Sequence, residues 1–270
     1  MTVIQALVLG LLQGATEFLP VSSSGHLVLV PWLLGWDAPG LTFDTTVHLG
    51  TLLAVGVYFR RDIRLMAQGV LDTVRRRNLQ NPHGKLGWLI AAGSVPAALA
   101  GFFLQDFFAA LFDAPALVSG LLLLTGLILF ASERAARRRR ELDGLGWRDG
   151  LLIGLAQAAA IAPGISRSGA TIAAGLAVGL QRQAAARFSF LLALPVIIGA
   201  GVFQLQEVVR VGANGAQMLA LAIGFAAAAL SGYACIHFLL AYVRRRSLYL
   251  FAAYCWGFGV LCLIVALARG

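Results

Sequence analysis

The feature that most limits the fold of this chain is a series of long apolar segments separated by basic turns. Of its 270 residues, 59% are hydrophobic and 12% are charged, and a soluble domain carries about twice that charged fraction. The chain is therefore predicted to be a helical membrane protein. Six segments have the pattern of membrane-spanning helices, at about residues 43–59, 86–104, 115–132, 187–205, 216–243 and 248–267.

The charge and cysteine content exclude several other classes of protein. The net charge of +9 does not indicate nucleic-acid binding, because the basic residues lie in short loops, where they orient membrane helices. The apolar N-terminus is not expected to be a cleaved signal peptide, since it lacks a basic start and contains Glu17. Cys235, Cys255 and Cys262 lie inside apolar segments without metal-like spacing and are predicted to be core residues.

Two motifs in the chain share one pattern. Residues 13–26 read QGATEFLPVSSSGH, and residues 157–170, which lie 144 positions later, read QAAAIAPGISRSGA. The copies agree at glutamine, serine and glycine positions. They differ where the first carries Glu17 and His26 and the second carries Arg167. This pattern indicates a duplicated loop whose two copies have diverged in chemistry.

Each motif is predicted to interrupt a short apolar helix. Residues 3–17 have a helical pattern, but they would cover only about 22 Å of a hydrocarbon core about 30 Å thick. Leu19-Pro20 ends this helix, and a second short helix runs from Gly25 to Gly35. The plan repeats around Pro163-Gly164, with short helices at 149–161 and 169–180.

The predicted fold class is an all-α polytopic membrane protein with an inverted-topology repeat. Each half is a re-entrant helix hairpin followed by three transmembrane helices. Within one membrane domain, residues 1–133 form the first repeat, 134–148 a basic cytoplasmic linker and 149–270 the inverted second repeat. The positive-inside rule places the first hairpin on the outer side and the second on the cytoplasmic side. Such repeats place their site near the bilayer midplane.

The two motifs together predict an anion site. Serines at helix starts accept hydrogen bonds from free backbone N–H groups, and helix N-termini favour phosphate. An arginine in the hydrocarbon region costs about 2.5–3.5 kcal/mol, and its planar fork suits phosphate oxygens. The alternative is that Arg167 only pairs with Glu17 to join the two halves. An ion pair alone explains neither the serines nor His26, so we favour the functional interpretation.

The motif side chains suggest individual roles. Ser23 and Ser166 are the strongest hydroxyl candidates, as nucleophile or phosphate donor, and His26 can transfer protons near neutral pH. Glu17 can hold a divalent cation or accept a proton. Gln13, one helical turn before Glu17, could ligate a metal, bind substrate or serve a structural role. Seven further residues are predicted to bind the substrate phosphates or cap the helices, namely Ser22, Ser24, Gly25, Gly164, Ser168, Gly169 and Thr171.

Two polar residues outside the motifs are weaker candidates. Asp44 and His48 lie one helical turn apart at the start of the first predicted span. Either side chain could lie at the rim of the cavity, but we rank both below the motif residues.

The motif sequences EFLPVSSSGH at 17–26 and PGISRSGAT at 163–171 resemble the two signatures of the bacterial undecaprenyl-diphosphate phosphatase (bacitracin-resistance protein) family. The resemblance extends to chain length, span order and spacing. It implies hydrolysis of the C55 lipid carrier diphosphate to the monophosphate and inorganic phosphate, which recycles the carrier for cell-wall synthesis and confers bacitracin resistance. It also implies a bacterial inner-membrane location, a site reached from the periplasm, and a divalent metal, Mg²⁺ with Ca²⁺ as the second choice.

The resemblance also carries residue roles. Many relatives have a second carboxylate at the position of Gln13, so this chain would leave more metal ligands to water and substrate phosphates, which suits Mg²⁺. The family's catalytic positions fall on Glu17, Ser23, His26, Ser166 and Arg167.

Several alternatives stay open. A lipid-phosphate flippase, acting alone or in addition to hydrolysis, fits the transporter-like architecture, whereas a membrane scaffold does not explain the ionisable residues at membrane depth. For hydrolysis, either Ser23 attacks with His26 relaying protons, or His26 activates water. The expected partners are the lipid substrate, membrane lipids and a second copy in a homodimer, with no nucleic acid.

Overall fold

The protein is all-α in its described part. A computed structural model describes residues 1–77, 79–211 and 215–269, without the side chains of 203–211 and 216, and these residues contain no β-strand. The all-α prediction is therefore confirmed. The helices of the described ranges are α1 Val3–Phe18, α2 Ser23–Leu34, α3 Leu41–Tyr58, α4 Arg60–Arg76, α5 Pro82–Phe103, α6 Gln105–Leu111, α7 Pro115–Ala135, α8 Trp147–Ala159, α9 Arg167–Ala177, α10 Arg182–Val211, α11 Gly215–Tyr242 and α12 Tyr249–Arg269.

Five helices in the described ranges are long and apolar enough to cross a membrane. They are α5, α7, α12 and the segments Arg182–Val202 of α10 and Gln217–Tyr242 of α11, and they match five of the six predicted spans. This composition is that of a multi-pass membrane protein. The sixth predicted span is α3, an 18-residue helix that is not among the five. Asp44, His48 and several threonines lower its hydropathy.

The two interrupted helices lie where the motifs predict them. Helix α1 ends at Phe18 and α2 begins at Ser23, with Gly35 closing α2 in the left-handed conformation (φ 65°). In the second half, α8 ends at Ala159 and α9 begins at Arg167. The second helix of each pair, α2 or α9, begins two residues before its predicted start. Each begins directly after its serine cap, which is Ser22 for α2 and Ser166 for α9.

Each of the short helices α1 and α8 packs against a long helix from the other half of the chain. Helix α1 lies along α11, and α8 lies along α5. A Cβ atom added to Gly10 would lie 2.5 Å from the Gly224 carbonyl oxygen, and one added to Gly154 would lie 2.2 Å from the Gly93 carbonyl oxygen. Glycines at these crossings let the backbones approach closely, as is common between membrane helices.

The basic loop predicted after the first span is mostly a helix, so that part of the prediction is wrong. Helix α4 buries Met66, Gly69 and Thr73, which share one face at helical spacing, and it leaves its terminal arginines exposed. It packs against α5, where the Trp88 indole N–H donates to Thr73 Oγ1 at 2.8 Å. The apolar face of α4 was hidden in the sequence by the high density of arginine. A second short helix, α6, lies between α5 and α7.

The linker between the halves is tied to the helices around it. Glu133, at the end of α7, is buried and pairs with both Arg138 of the linker and Arg182 of α10. The Leu248 N–H, just before α12, donates to the same carboxylate at 3.2 Å. One buried carboxylate therefore joins the linker to three helices.

The close α5–α8 crossing predicts that a single added methyl group lowers the stability of the protein. Gly154→Ala should lower the unfolding free energy by about 1–3 kcal/mol, because the new Cβ overlaps the Gly93 backbone. Gly56→Ala in α3 is the matched control, since a Cβ there meets nothing within 4 Å. Unfolding of both variants in detergent measures the difference, and equal stability of the two would contradict the described crossing.

Candidate active site

The two motif turns are in direct contact. A Cβ added to Gly25 would lie 3.2 Å from Gly164 Cα, and the Ser168 hydroxyl donates to the Leu19 carbonyl at 3.1 Å. Gly164 has φ +97°, and a side chain there would collide with the Val118 carbonyl oxygen. The loops from the two halves therefore meet, as the duplicated pattern predicts.

A buried ion pair joins the two halves at this contact. Arg167 Nη2 lies 2.7 Å from Glu17 Oε1, and only 5% of the glutamate side chain and 15% of the arginine side chain are exposed. The second carboxylate oxygen, Oε2, accepts hydrogen bonds from Ser23 Oγ at 2.6 Å and from Gln13 Nε2 at 3.0 Å. Four predicted site residues thus form one network around the Glu17 carboxylate.

Two of the motif serines cap helices, whereas Ser23 does not. Ser22 Oγ accepts from the Gly25 N–H at 3.2 Å, and Ser166 Oγ accepts from the Gly169 N–H at 3.0 Å, so both cap a helix. Ser22 also has φ +70°, a strained value for a residue other than glycine. Ser23, in contrast, directs its hydroxyl at Glu17. Ser23 therefore differs from the capping serines, because its hydroxyl donates to a carboxylate that could accept its proton.

His26 faces a residue that the motifs did not predict. Its Nδ1 lies 2.7 Å from the Ser22 carbonyl oxygen, and its Nε2 lies 2.7 Å from the Tyr254 hydroxyl. A carbonyl oxygen only accepts, so Nδ1 carries the proton and Nε2 accepts from Tyr254. In the described part of the chain, no hydrogen bond or ion pair joins the imidazole to Glu17, Ser23 or Arg167. Tyr254 lies in the last apolar segment, outside both motifs, where the sequence contains no signal for it.

His48 reaches the site, which the sequence supported only weakly. Its Nε2 lies 3.8 Å from Glu17 Oε2, and its Nδ1 lies 2.7 Å from the Asp44 carbonyl oxygen. Asp44 therefore acts here through its backbone. Its side-chain Oδ1 is buried and makes no hydrogen bond with the described residues.

Ser189 is a second unpredicted residue at the site. Its carbonyl oxygen lies 3.4 Å from Arg167 Nη1, and its hydroxyl lies 2.6 Å from Thr171 Oγ1. Thr171 also donates to the Arg167 carbonyl at 2.8 Å. Ser189 of α10 aligns with the first turns of α3 in the internal repeat, and that alignment was the available signal for it.

The arrangement fits a divalent cation held by few protein ligands. Gln13 Oε1 is buried and accepts no hydrogen bond from the residues that the structure describes, and it belongs to an amide that already contacts Glu17. Those residues contain no group of three or more His, Cys, Asp or Glu side chains able to hold a metal. One carboxylate and one amide oxygen suit Mg²⁺, which keeps several waters and binds substrate phosphates.

Comparison with known proteins places this geometry in a family. The family model described as bacitracin resistance protein BacA matches residues 6–261, including both motifs. The chain belongs to the BacA family. A relative from Thermomicrobium roseum, named undecaprenyl-diphosphatase, is 46% identical over 100% of both chains. Relatives with the same name from Rubrobacter xylanophilus (47% identical, covering 98% of this chain and 97% of the relative) and Geobacter sulfurreducens (46%, covering 94% of each) also match.

The ion pair of this BacA-family chain predicts strong energetic coupling between its two halves. Arg167→Met should lower the unfolding free energy by about 3–5 kcal/mol, because it leaves the buried Glu17 carboxylate without its counter-charge. Adding Glu17→Gln to that variant should recover part of the loss. Unfolding of the wild type, both single variants and the double variant in detergent measures the coupling. Additive losses would contradict a direct pair.

Proposed function

We propose that this chain hydrolyses undecaprenyl diphosphate to undecaprenyl phosphate and inorganic phosphate. The observation that carries the proposal is the Ser23 hydroxyl, hydrogen-bonded to Glu17 at 2.6 Å beside the Arg167 guanidinium. Relatives of nearly full length are named for this activity. The reaction would recycle the lipid carrier for cell-wall synthesis and, by removing free lipid diphosphate, confer bacitracin resistance.

The proposed architecture is an inverted repeat in the bacterial inner membrane. Its support is the exchange of short helices, in which α1 packs on α11 and α8 packs on α5, together with the duplicated motifs. Under the positive-inside rule the arginine-rich segments face the cytoplasm, and the first hairpin then enters from the periplasm. On this proposal the lipid headgroup reaches the site from the periplasmic side, while its prenyl chain stays in lipid. A homodimer stays a prediction.

Phosphate binding in this proposal uses the groups around the motif contact. Arg167 supplies a permanent positive charge, and the N-termini of α2 and α9 supply backbone N–H groups with a favourable dipole. Ser166 Oγ caps α9 and lies 3.1 Å from Ser168 Oγ, so its hydroxyl hydrogen would turn from Ser168 to donate to a phosphate oxygen. Stabilising the charge on the transferred phosphoryl group is the main requirement of this chemistry.

The favoured nucleophile is Ser23. Its proton would pass to Glu17 Oε2 as Oγ bonds to the terminal phosphorus, and the bridging P–O bond would break, so that undecaprenyl phosphate leaves with the bridging oxygen. Water would then hydrolyse the phosphoserine and release inorganic phosphate. This version assigns the proton transfer to Glu17, because His26 contacts Ser22 and Tyr254 instead. Activation of water by His26 is the alternative, and it would require the imidazole to release Tyr254.

A divalent metal would be held by Gln13 Oε1 and Glu17. When bound, it supplies charge neutralisation for the phosphate oxygens. Mg²⁺ is the expected ion, with Ca²⁺ as the second choice.

The nucleophile assignment predicts a trapped intermediate. Ser23→Ala should lower kcat by about 10³-fold or more, because no other described hydroxyl contacts Glu17. Rapid acid quenching of the wild type with labelled substrate should yield phosphoserine at position 23. The control is Ser132→Ala in α7, whose hydroxyl donates to the Leu129 carbonyl at 3.0 Å and makes no other hydrogen bond with the described residues. Normal turnover by Ser23→Ala would favour water activated by His26.

A detergent assay separates hydrolysis from transport. The wild type should release phosphate from undecaprenyl diphosphate in micelles, where no membrane separates two compartments, and a chelator should stop the reaction. Arg167→Ala should abolish release, because the phosphoryl charge loses its counter-charge. The variant's elution from size-exclusion chromatography reports whether it remains folded. A folded wild type that releases no phosphate would instead support the flippase alternative.

A further inference from the structure

We propose that His48 is a third protein ligand of the divalent cation at this site, alongside Gln13 and Glu17. The inference rests on the proposed function, because it concerns the metal expected there. It adds an imidazole to a set that the motifs limit to two oxygen ligands.

The first support is the orientation of the imidazole. Nδ1 of His48 donates to the Asp44 carbonyl at 2.7 Å, so in the neutral ring the lone pair lies on Nε2. Metal-binding histidines almost always donate their other ring N–H to a carboxylate or a backbone carbonyl, which fixes the tautomer. Nε2 is the atom that faces Glu17, at 3.8 Å from Oε2.

The second support is the separation of these atoms. A distance of 3.8 Å is too long for a hydrogen bond, and a neutral Nε2 and a carboxylate oxygen are both acceptors. Two acceptors that face each other at this distance suit a shared cation between them. Just over a third of the His48 side chain is exposed, so water and substrate oxygens can complete the coordination.

The third support is the unpaired amide oxygen beside them. Gln13 donates through Nε2 to the same Glu17 oxygen that His48 faces, while its own Oε1 is fully buried and makes no hydrogen bond with the described residues. Burying an acceptor without a partner costs about 1–3 kcal/mol. If the Gln13 amide turns over so that Oε1 takes the place of Nε2 beside Glu17 Oε2, a cation at this point would satisfy the oxygen and join all three side chains.

The ligand set indicates which cation binds most tightly. Carboxylate and amide oxygens suit Mg²⁺, Ca²⁺ and Mn²⁺, whereas an imidazole shifts the preference toward transition metals. A site with two oxygens and one nitrogen should therefore bind Mn²⁺ more tightly than Mg²⁺ or Ca²⁺. Replacing His48 by a residue with an oxygen ligand should reduce the difference in affinity between Mn²⁺ and the other two ions.

The competing interpretation is a protonated His48 that only forms an ion pair with Glu17. The two interpretations differ in one observable: a coordinated imidazole places a nitrogen nucleus next to the metal. Pulsed electron paramagnetic resonance of bound Mn²⁺ detects this ¹⁴N coupling directly, without any need for turnover.

The experiment compares wild type, His48→Gln and His83→Gln, purified in detergent with the affinity tag removed, because tag histidines also bind Mn²⁺. His83 is exposed at the start of α5 and serves as the matched control. Wild type and His83→Gln should bind Mn²⁺ with ¹⁴N coupling. His48→Gln should lose the coupling and bind Mn²⁺ at least about tenfold more weakly.

Three results would overturn the inference: Mn²⁺ bound without nitrogen coupling in the wild type, coupling that persists in His48→Gln, or no Mn²⁺ binding. A parallel phosphate-release assay with Mg²⁺ separates this inference from the proposed function. Hydrolysis without nitrogen coupling rejects only the ligand assignment. Coupling without hydrolysis rejects only the proposed function.

Discussion

The arrangement depends most on a single buried charge pair between the two halves of the chain. Burying the Glu17 carboxylate or the Arg167 guanidinium in an apolar interior without the other is strongly unfavourable, so folding that buries one must bring the second to it. Because the two residues lie 150 positions apart in the chain, one in each hairpin, this requirement fixes the relative position of the hairpins. Ser23 and Gln13 then orient around the carboxylate that the pair holds in place.

The pair draws its two members from different copies of one motif. At the position of Glu17 the second motif has Ile161, and at the position of Arg167 the first motif has Ser23. Two copies of the first turn would place a serine opposite the glutamate, and two copies of the second would place an isoleucine opposite the arginine, so either arrangement would bury a charge without its partner. The chemical asymmetry between the copies is therefore a condition for a stable contact, as well as the source of a polar site in an apolar protein.

Much of the fold and the centre of the site could be predicted from the sequence. The helix breaks at Pro20 and Gly164 follow from the backbone conformations of proline and glycine. The apolar composition of the long segments follows from their membrane environment. Helix α4 was missed because its arginine content concealed an apolar face of only three buried residues. The partner of His26 was missed because Tyr254 lies on a distant helix, and packing between helices leaves no local pattern.

His48 and Ser189 illustrate the same limit in the site itself. Each reaches a motif residue through tertiary packing, His48 from α3 and Ser189 from α10. Motif spacing identifies side chains that share a turn, whereas these two come from neighbouring helices whose rotation about their own axes decides where they face. In the sequence, only the predicted internal repeat relates α3 to α10, whereas in the structure the two helices also pack against each other.

The close approach of Gly25 to Gly164 has a consequence for how such a duplicated chain can change. With 3.2 Å between a Cβ added to Gly25 and the Gly164 backbone, the first turn cannot gain a side chain at this point unless the second shifts by a few tenths of an ångström. The contact limits the side chains that the first copy can accept here, although the two backbones differ, with φ +70° at Ser22 and φ −72° at its counterpart Ser166. Divergence after duplication would then be concentrated away from this contact, and new specificities would arise by exchanging side chains there.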